Sequence, residues 1–175
     1  FAHFAVTDVS AKRFFYDQRV GRPVLGLAGY SADKLDVFIG PDGSAGQWSV
    51  RQSGEAMRLR ASANGHEIDL TLRAKRPPVL NGRDGLSQKG PGAGNANYYY
   101  SVPRLVTRGS LSVQGKRYSV SGMTWMDHEW GTSELAPNQK GWDWFSLRLS
   151  DGSDLMLYSL RDARSRPTPY SSGTI

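Results

Sequence analysis

SGMTWMDHEWGTSELAPNQKGWDWFSLRLSDGSDLMLYSLR, residues 121–161, is the stretch that decides how this chain is read. Four of the five tryptophans lie in it: Trp125, Trp130, Trp142 and Trp144. Side chains alternate faces along a strand. Read as a strand, 124–130 puts Met126, His128 and Trp130 on one face and Trp125, Asp127 and Glu129 on the other. Residues 142–150 and 154–161 read as two further strands, with Asp151-Gly152 as a two-residue hairpin turn between them. That turn sets an expected register, with Leu147 opposite Met156, Phe145 opposite Tyr158 and Asp143 opposite Leu160. One face then carries Asp143, Phe145, Leu147, Met156, Tyr158 and Leu160. A carboxylate and a phenol on an otherwise apolar face need local partners, because burying either alone is costly.

Working outward, the same alternation recurs along the chain. Residues 1–7 and 13–20 read as strands, and so do 35–39, 47–52, 57–63 and 67–73. Asn64-Gly65 marks the clearest hairpin turn of the first half. Pro41-Asp42-Gly43 reads as another turn. Strands 105–113 and 117–122 flank the turn Gln114-Gly115-Lys116. Residues 77–97 are rich in proline and glycine, which suggests a lid over a pocket mouth or a floppy surface loop. No helical stripe of useful length appears. Many short strands at short spacing point to an all-β fold, an antiparallel barrel or sandwich. A barrel of about eight strands can hold one small ligand.

The 175 residues suit one domain with a sizeable core. The formal net charge is +6, but the basic residues are dispersed and form no run. A solvated basic surface is therefore expected, and no nucleic-acid groove of interleaved aromatic and basic residues is found. The chain has no cysteine. This excludes disulfides, thiol nucleophiles and thiolate-bound zinc, and it is compatible with the periplasm. No stretch approaches the ~20 apolar residues of a membrane-spanning helix.

WMDHEWG followed by GWDWFSLRLSDGSDLMLYSLR resembles the bacterial carotenoid 1,2-hydratase/AttH-like family, whose members are lipocalin-like and mostly secreted. TRGSLSVQGKRYSVSG and FAHFAVTDVSAKRFFYDQR fit it too, so the resemblance extends over most of the chain. It implies that residues 1–175 are the first of two consecutive lipocalin-like domains, a fragment incomplete at both ends. The remainder of the polypeptide, or a second chain, is expected to cover its exposed strands. The resemblance also implies a periplasmic or secreted, or membrane-associated, location. Hydration of a carbon–carbon double bond in a hydrophobic isoprenoid is the implied reaction. LYSLRD lacks a carboxylate beside Tyr158, and that departure favours an AttH-like relative over a true carotenoid hydratase.

Alkene hydration needs a proton donor and aromatic faces for the cation. Asp143, His128, Asp127 and Tyr158 are the candidate catalytic residues, and Trp130, Trp142, Trp144, Phe145 and Met126 the candidate substrate contacts. His128 and Trp130 are expected to face a cavity, with Asp127 and Glu129 pointing away. Asp143 in a dry site is a proton donor; tied to an arginine, it is an anchor. Trp142 and Trp144 share a face, with Arg161 expected opposite Trp142. The three histidines are far apart and lack metal-ligand spacing, so neither a metal nor another cofactor is expected. No Gly-x-Ser-x-Gly elbow occurs, so nothing supports serine hydrolase chemistry. The same residues serve a second reading, a carrier of a lipophilic small molecule without turnover.

Overall fold

The computed structural model describes every residue except 42, 43, 45 and 134. The turn read at Pro41-Asp42-Gly43 thus lies outside the described residues. Among these there is no helix, and the chain is an antiparallel, lipocalin-like all-β protein with open sheets, as its alternation required. The strands are β1 (Ala2–Asp8), β2 (Arg13–Arg19), β3 (Ala28–Tyr30), β4 (Asp36–Ile39), β5 (Trp48–Ser53), β6 (Ala56–Ala63), β7 (His66–Ala74), β8 (Val79–Leu80), β9 (Leu86–Gln88), β10 (Ala96–Val113), β11 (Lys116–Gly131), β12 (Gln139–Arg148), β13 (Asp154–Asp162) and β14 (Ser172–Thr174). They fall into two compact units, Phe1–Ala74 with Val106–Met123, and Lys75–Leu105 with Thr124–Ile175.

The first unit holds the β1–β2 hairpin and a sheet in the order β11-β10-β7-β6-β5-β4-β3. Asn64 and Gly65 both take positive φ, 48° and 77°, so the Asn-Gly turn closes the β6–β7 hairpin with Ala63 paired to His66. Its core gathers Phe4, Ile39, Trp48 and Ala61, residues that alternation turns to one side of their strands. Trp48 donates its indole N–H to the Ser62 carbonyl at 2.8 Å, so the ring is buried without an orphaned polar group.

In the second unit, β12, β13 and β14 form one sheet, while β8 and β9 pair with β10. Met156, Tyr158 and Leu160 are buried at every second position of β13, packed with Tyr99. The β12–β13 register differs from expectation by one residue. Trp144 stands opposite Tyr158, Phe145 opposite Leu157 and Asp143 opposite Ser159. The cause is the turn. Leu149 and Ser153 still bond, N–H to carbonyl at 3.0 Å, so Ser150, Asp151 and Gly152 make a three-residue loop. Gly152 takes φ 91°, and Asp151 accepts from the Ser153 amide at 2.9 Å. A three-residue loop closing on a left-handed glycine is the next most common hairpin after the two-residue kind. Since the side-chain period is two, the one-residue change exchanges the faces of one strand relative to its partner.

Residues 77–97 are neither a lid nor a floppy loop. β8 and β9 fold back along β10 around a turn with Asp84 at φ 53° and Gly85 at φ 90°. Ser87 and Lys89 are thereby carried inward and buried.

Candidate functional site

Buried and partly exposed groups of the second unit meet around one small pocket. β10 turns Asn97, Tyr99 and Ser101 inward at alternate positions, and all are at most 2% exposed. β11 contributes Glu129, and β13 contributes Tyr158 and Leu160. Lys89, only 5% exposed, follows β9 and lines the same space. Its ammonium lies 3.6 Å from the centroid of the Tyr158 ring and 5.1 Å from that of Tyr99. It stands 3.7 Å from Glu129 Oε2, the oxygen that also accepts a hydrogen bond from Asn97 Nδ2 at 2.5 Å. The Tyr158 hydroxyl shares a 2.9 Å hydrogen bond with Ser87 Oγ. The half-exposed Trp142 and Trp144 also line the pocket, and Trp144 Nε1 donates to the Tyr99 hydroxyl at 3.1 Å. Burial pushes the Tyr99 phenol far above its ordinary range; the Trp144 bond opposes this, and the nearby Asp127 and Glu129 charges add to it. The pocket measures about 50 Å³, room for roughly four waters at ~10–15 Å³ each.

A second polar knot lies on the same strands. Asp127 Oδ1 accepts from Ser101 Oγ at 2.5 Å and from Trp125 Nε1 at 2.9 Å, and Ser101 in turn accepts from Asn81 at 2.9 Å. This holds the carboxylate in place among fixed donors.

The candidates read from sequence are placed as follows. Tyr158, Trp142 and Trp144 come together at the pocket. Arg161, expected opposite Trp142, stands opposite Gly141 instead and pairs with Asp143, while Leu160 is the partner of Trp142. Asp143 is on the opposite face of β12 from Trp142 and Trp144, half exposed, with its carboxylate 3.0 Å from Arg161 Nε. It does not share a face with Tyr158. Phe145 lies on that outer face too, 52% exposed, and does not line the pocket.

The orientation of β11 is the reverse of the one expected. Glu129 faces the pocket, and Asp127 faces the buried Ser101. His128 and Trp130 share one face, with ring centroids 5.0 Å apart, but that face is the outer one. There Trp130 stacks on Tyr98 at 5.5 Å, and His128 Nδ1 meets the Tyr100 hydroxyl at 3.1 Å. Met126 belongs to this side by alternation. Periodicity fixed which residues travel together but not which set faces inward, because both sets contain a tryptophan and titratable groups.

Lys89, Asn97, Ser87 and Tyr99 escaped the sequence reading. Alternation in ANYYYSV could have found Asn97 and Tyr99, had the polar residues been read as an inward set. Lys89 sits in a glycine-rich segment with no periodicity to place it. Among the described residues no group of histidine, aspartate and glutamate side chains is arranged to hold a metal ion.

With this geometry in view, comparison with known proteins places the chain. A protein-family model described as AttH-like matches residues 1–175. The chain belongs to the AttH-like family. A crystal structure from Nitrosomonas europaea described as AttH superimposes on the AttH-like chain with a TM-score of 0.83 at 34% identity, covering 94% of it and 50% of that structure. Kievitone hydratase from Nectria haematococca gives a TM-score of 0.66 at 19% identity over 98% of this chain and 53% of that one, a likeness of fold. The dehydratase asqC of Emericella nidulans is 29% identical over 96 residues, 53% of this chain and 26% of that protein. The AttH-like chain therefore spans about half the length of the solved structures it matches, and about a quarter of the dehydratase.

Proposed function

We propose that the second unit carries a hydratase-like site, which adds water to, or removes it from, a carbon–carbon double bond of a lipophilic molecule such as an isoprenoid or other lipid. The observation that carries this reading is the meeting of the partly exposed Glu129 and the buried Lys89 in a small pocket lined by two half-exposed tryptophans. A carboxylate at such a site can take a proton from water and return it to carbon, in either direction of the reaction. Asn97 donates a hydrogen bond to that carboxylate and Lys89 attracts it by charge, which orients it. The pocket admits a reacting end and a few waters. The rest of a larger substrate lies across the exposed rings of Trp142 and Trp144, which supply apolar contact. Similarity to a dehydratase supports the reaction class, since dehydration and hydration are one reaction run in opposite directions.

Of the other candidates, Tyr158 lines the pocket and brings a phenol to it. Asp127 acts through the strand it anchors. The proposal includes a periplasmic or secreted location, which cell fractionation tests. The reaction is tested by incubating the chain with lipophilic alkenes in heavy-oxygen water and seeking labelled alcohol by mass spectrometry. Glu129→Gln keeps the shape and removes the acid–base function. It is expected to cut turnover by about a hundred-fold or more while the chain still folds. Turnover unchanged in that variant would refute the assignment.

A second reading, carriage of a lipophilic ligand without turnover, is favoured by one feature of the first unit. A cavity of about 310 Å³ lies there against Ala28, Ile39, Trp48, Val50, Leu59 and Ala61. Its apolar walls suit a hydrocarbon chain. Bound lipid extracted from the purified chain, together with no labelled alcohol, would select this reading.

A further inference from the structure

Among the described residues β1 pairs only with β2, and β11 stands at the end of its sheet beside β10. Each strand therefore keeps one open edge. Within the first unit a cavity of about 630 Å³ is lined by both. Val6, Thr7, Asp8 and Val9 line it from β1 and its end, and Tyr118, Ser119 and Val120 line it from β11. Side chains alternate faces along a strand, so consecutive residues on one wall mean that the strand presents its edge, main chain included. The cavity is a groove between two strand edges. Leu111 and Val113 of β10 add an apolar floor. Val9 is 80% exposed and Tyr118 42%, so the lining is open to solvent.

Strand edges are commonly guarded by charged residues, proline or a bulge, since their unpaired N–H and C=O groups recruit other strands. Residues 2–7 and 118–122 contain no lysine, arginine, aspartate, glutamate or proline. A hydrocarbon in the groove would cover the apolar floor but shield two rows of main-chain groups from water without pairing them, which is costly. A polypeptide strand covers the floor and pairs both rows. Strand spacings of roughly 3.3, 4.8 and 10 Å give each residue about 160 Å³, so the cavity holds about four residues.

We propose that this groove receives one extended polypeptide strand from outside these 175 residues, hydrogen-bonded to β1 along one side and to β11 along the other. The side chains that this strand turns to the floor are apolar, to match Val6, Leu111, Val113 and Val120. Its end near the hairpin tips carries an acid. Arg13 and Lys116 stand there with the carboxylate of Asp8, which already accepts the Ala11 amide at 2.8 Å. The groove belongs to the first unit and is independent of the reaction proposed for the second.

The test compares two probes with the same side chains. One is a capped heptapeptide that alternates valine and threonine between terminal glutamates. Its twin is N-methylated at alternate amides and so lacks those N–H donors. Light scattering of the whole chain alone is expected to show a monomer. Fluorescence anisotropy should show the plain peptide binding at least about ten-fold more tightly than the methylated one. Hydrogen exchange should then slow at alternate amides of β1 and of residues 116–123. Equal binding of the two peptides, or binding of neither, would overturn the proposal. A dimer that protects the same amides without peptide would overturn it too, because the occupant would then be a second copy of the chain.

Discussion

Asp143 shows how far a residue's role depends on one register step. On the expected face it would have been a carboxylate in an apolar pocket beside Tyr158. In the structure it is half exposed and paired with Arg161. Exposed ion pairs are worth little, because solvent screens the charges and two long side chains must be held in place. Asp143→Asn is therefore expected to change stability by no more than about 0.5 kcal/mol. It should also leave any turnover intact, and thermal melts with the labelled-water assay check both. Lys89 is the opposite case. Its charge is buried, so its neighbours are committed to it, whereas nothing in the local sequence announces its position.

At the scale of strands, alternation made the fold legible and turns decided the details. The Asn64-Gly65 hairpin formed as read, since both residues adopt positive φ readily. The Asp151-Gly152 hairpin also formed, but with Ser150 drawn into the loop, and that altered every partner across β12 and β13. Dipeptide signals do not tell a two-residue loop from a three-residue loop, because glycine serves both. The inward face of β11 was illegible for another reason. Choosing between His128 with Trp130 and Asp127 with Glu129 needs knowledge of where Ser101 and Asn97 stand on the neighbouring strand. The register can be tested directly because the chain contains no cysteine. Asp143→Cys with Ser159→Cys places two thiols directly across the strand pair and should oxidise to a disulfide. Asp143→Cys with Leu160→Cys should remain reduced, the side chains lying on opposite faces. Cross-linking only in the second pair would restore the register first expected.

For the whole molecule, the buried Tyr99 predicts a pH response. Burial raises its folded-state value above the ordinary ~10, because desolvation penalises the phenolate. The stabilisation is intact below about pH 10 and is lost as the pH rises towards the folded value. Denaturant melts from about pH 8 to 11 should therefore show falling stability at the alkaline end. Tyr99→Phe should flatten that fall, at the cost of the hydrogen bond from Trp144. An unchanged slope in the variant would assign the alkaline loss to other groups. Residues of both compact units lie along the unbroken strands β10 and β11. That continuity restricts how the chain can change in length by descent. One residue added inside β10 would exchange Asn97, Tyr99 and Ser101 with Tyr98, Tyr100 and Val102 on one side of the insertion and spare the other side, unless a bulge absorbed it. A change of two residues within these strands keeps the alternation, whereas a change of one keeps it only where a bulge forms.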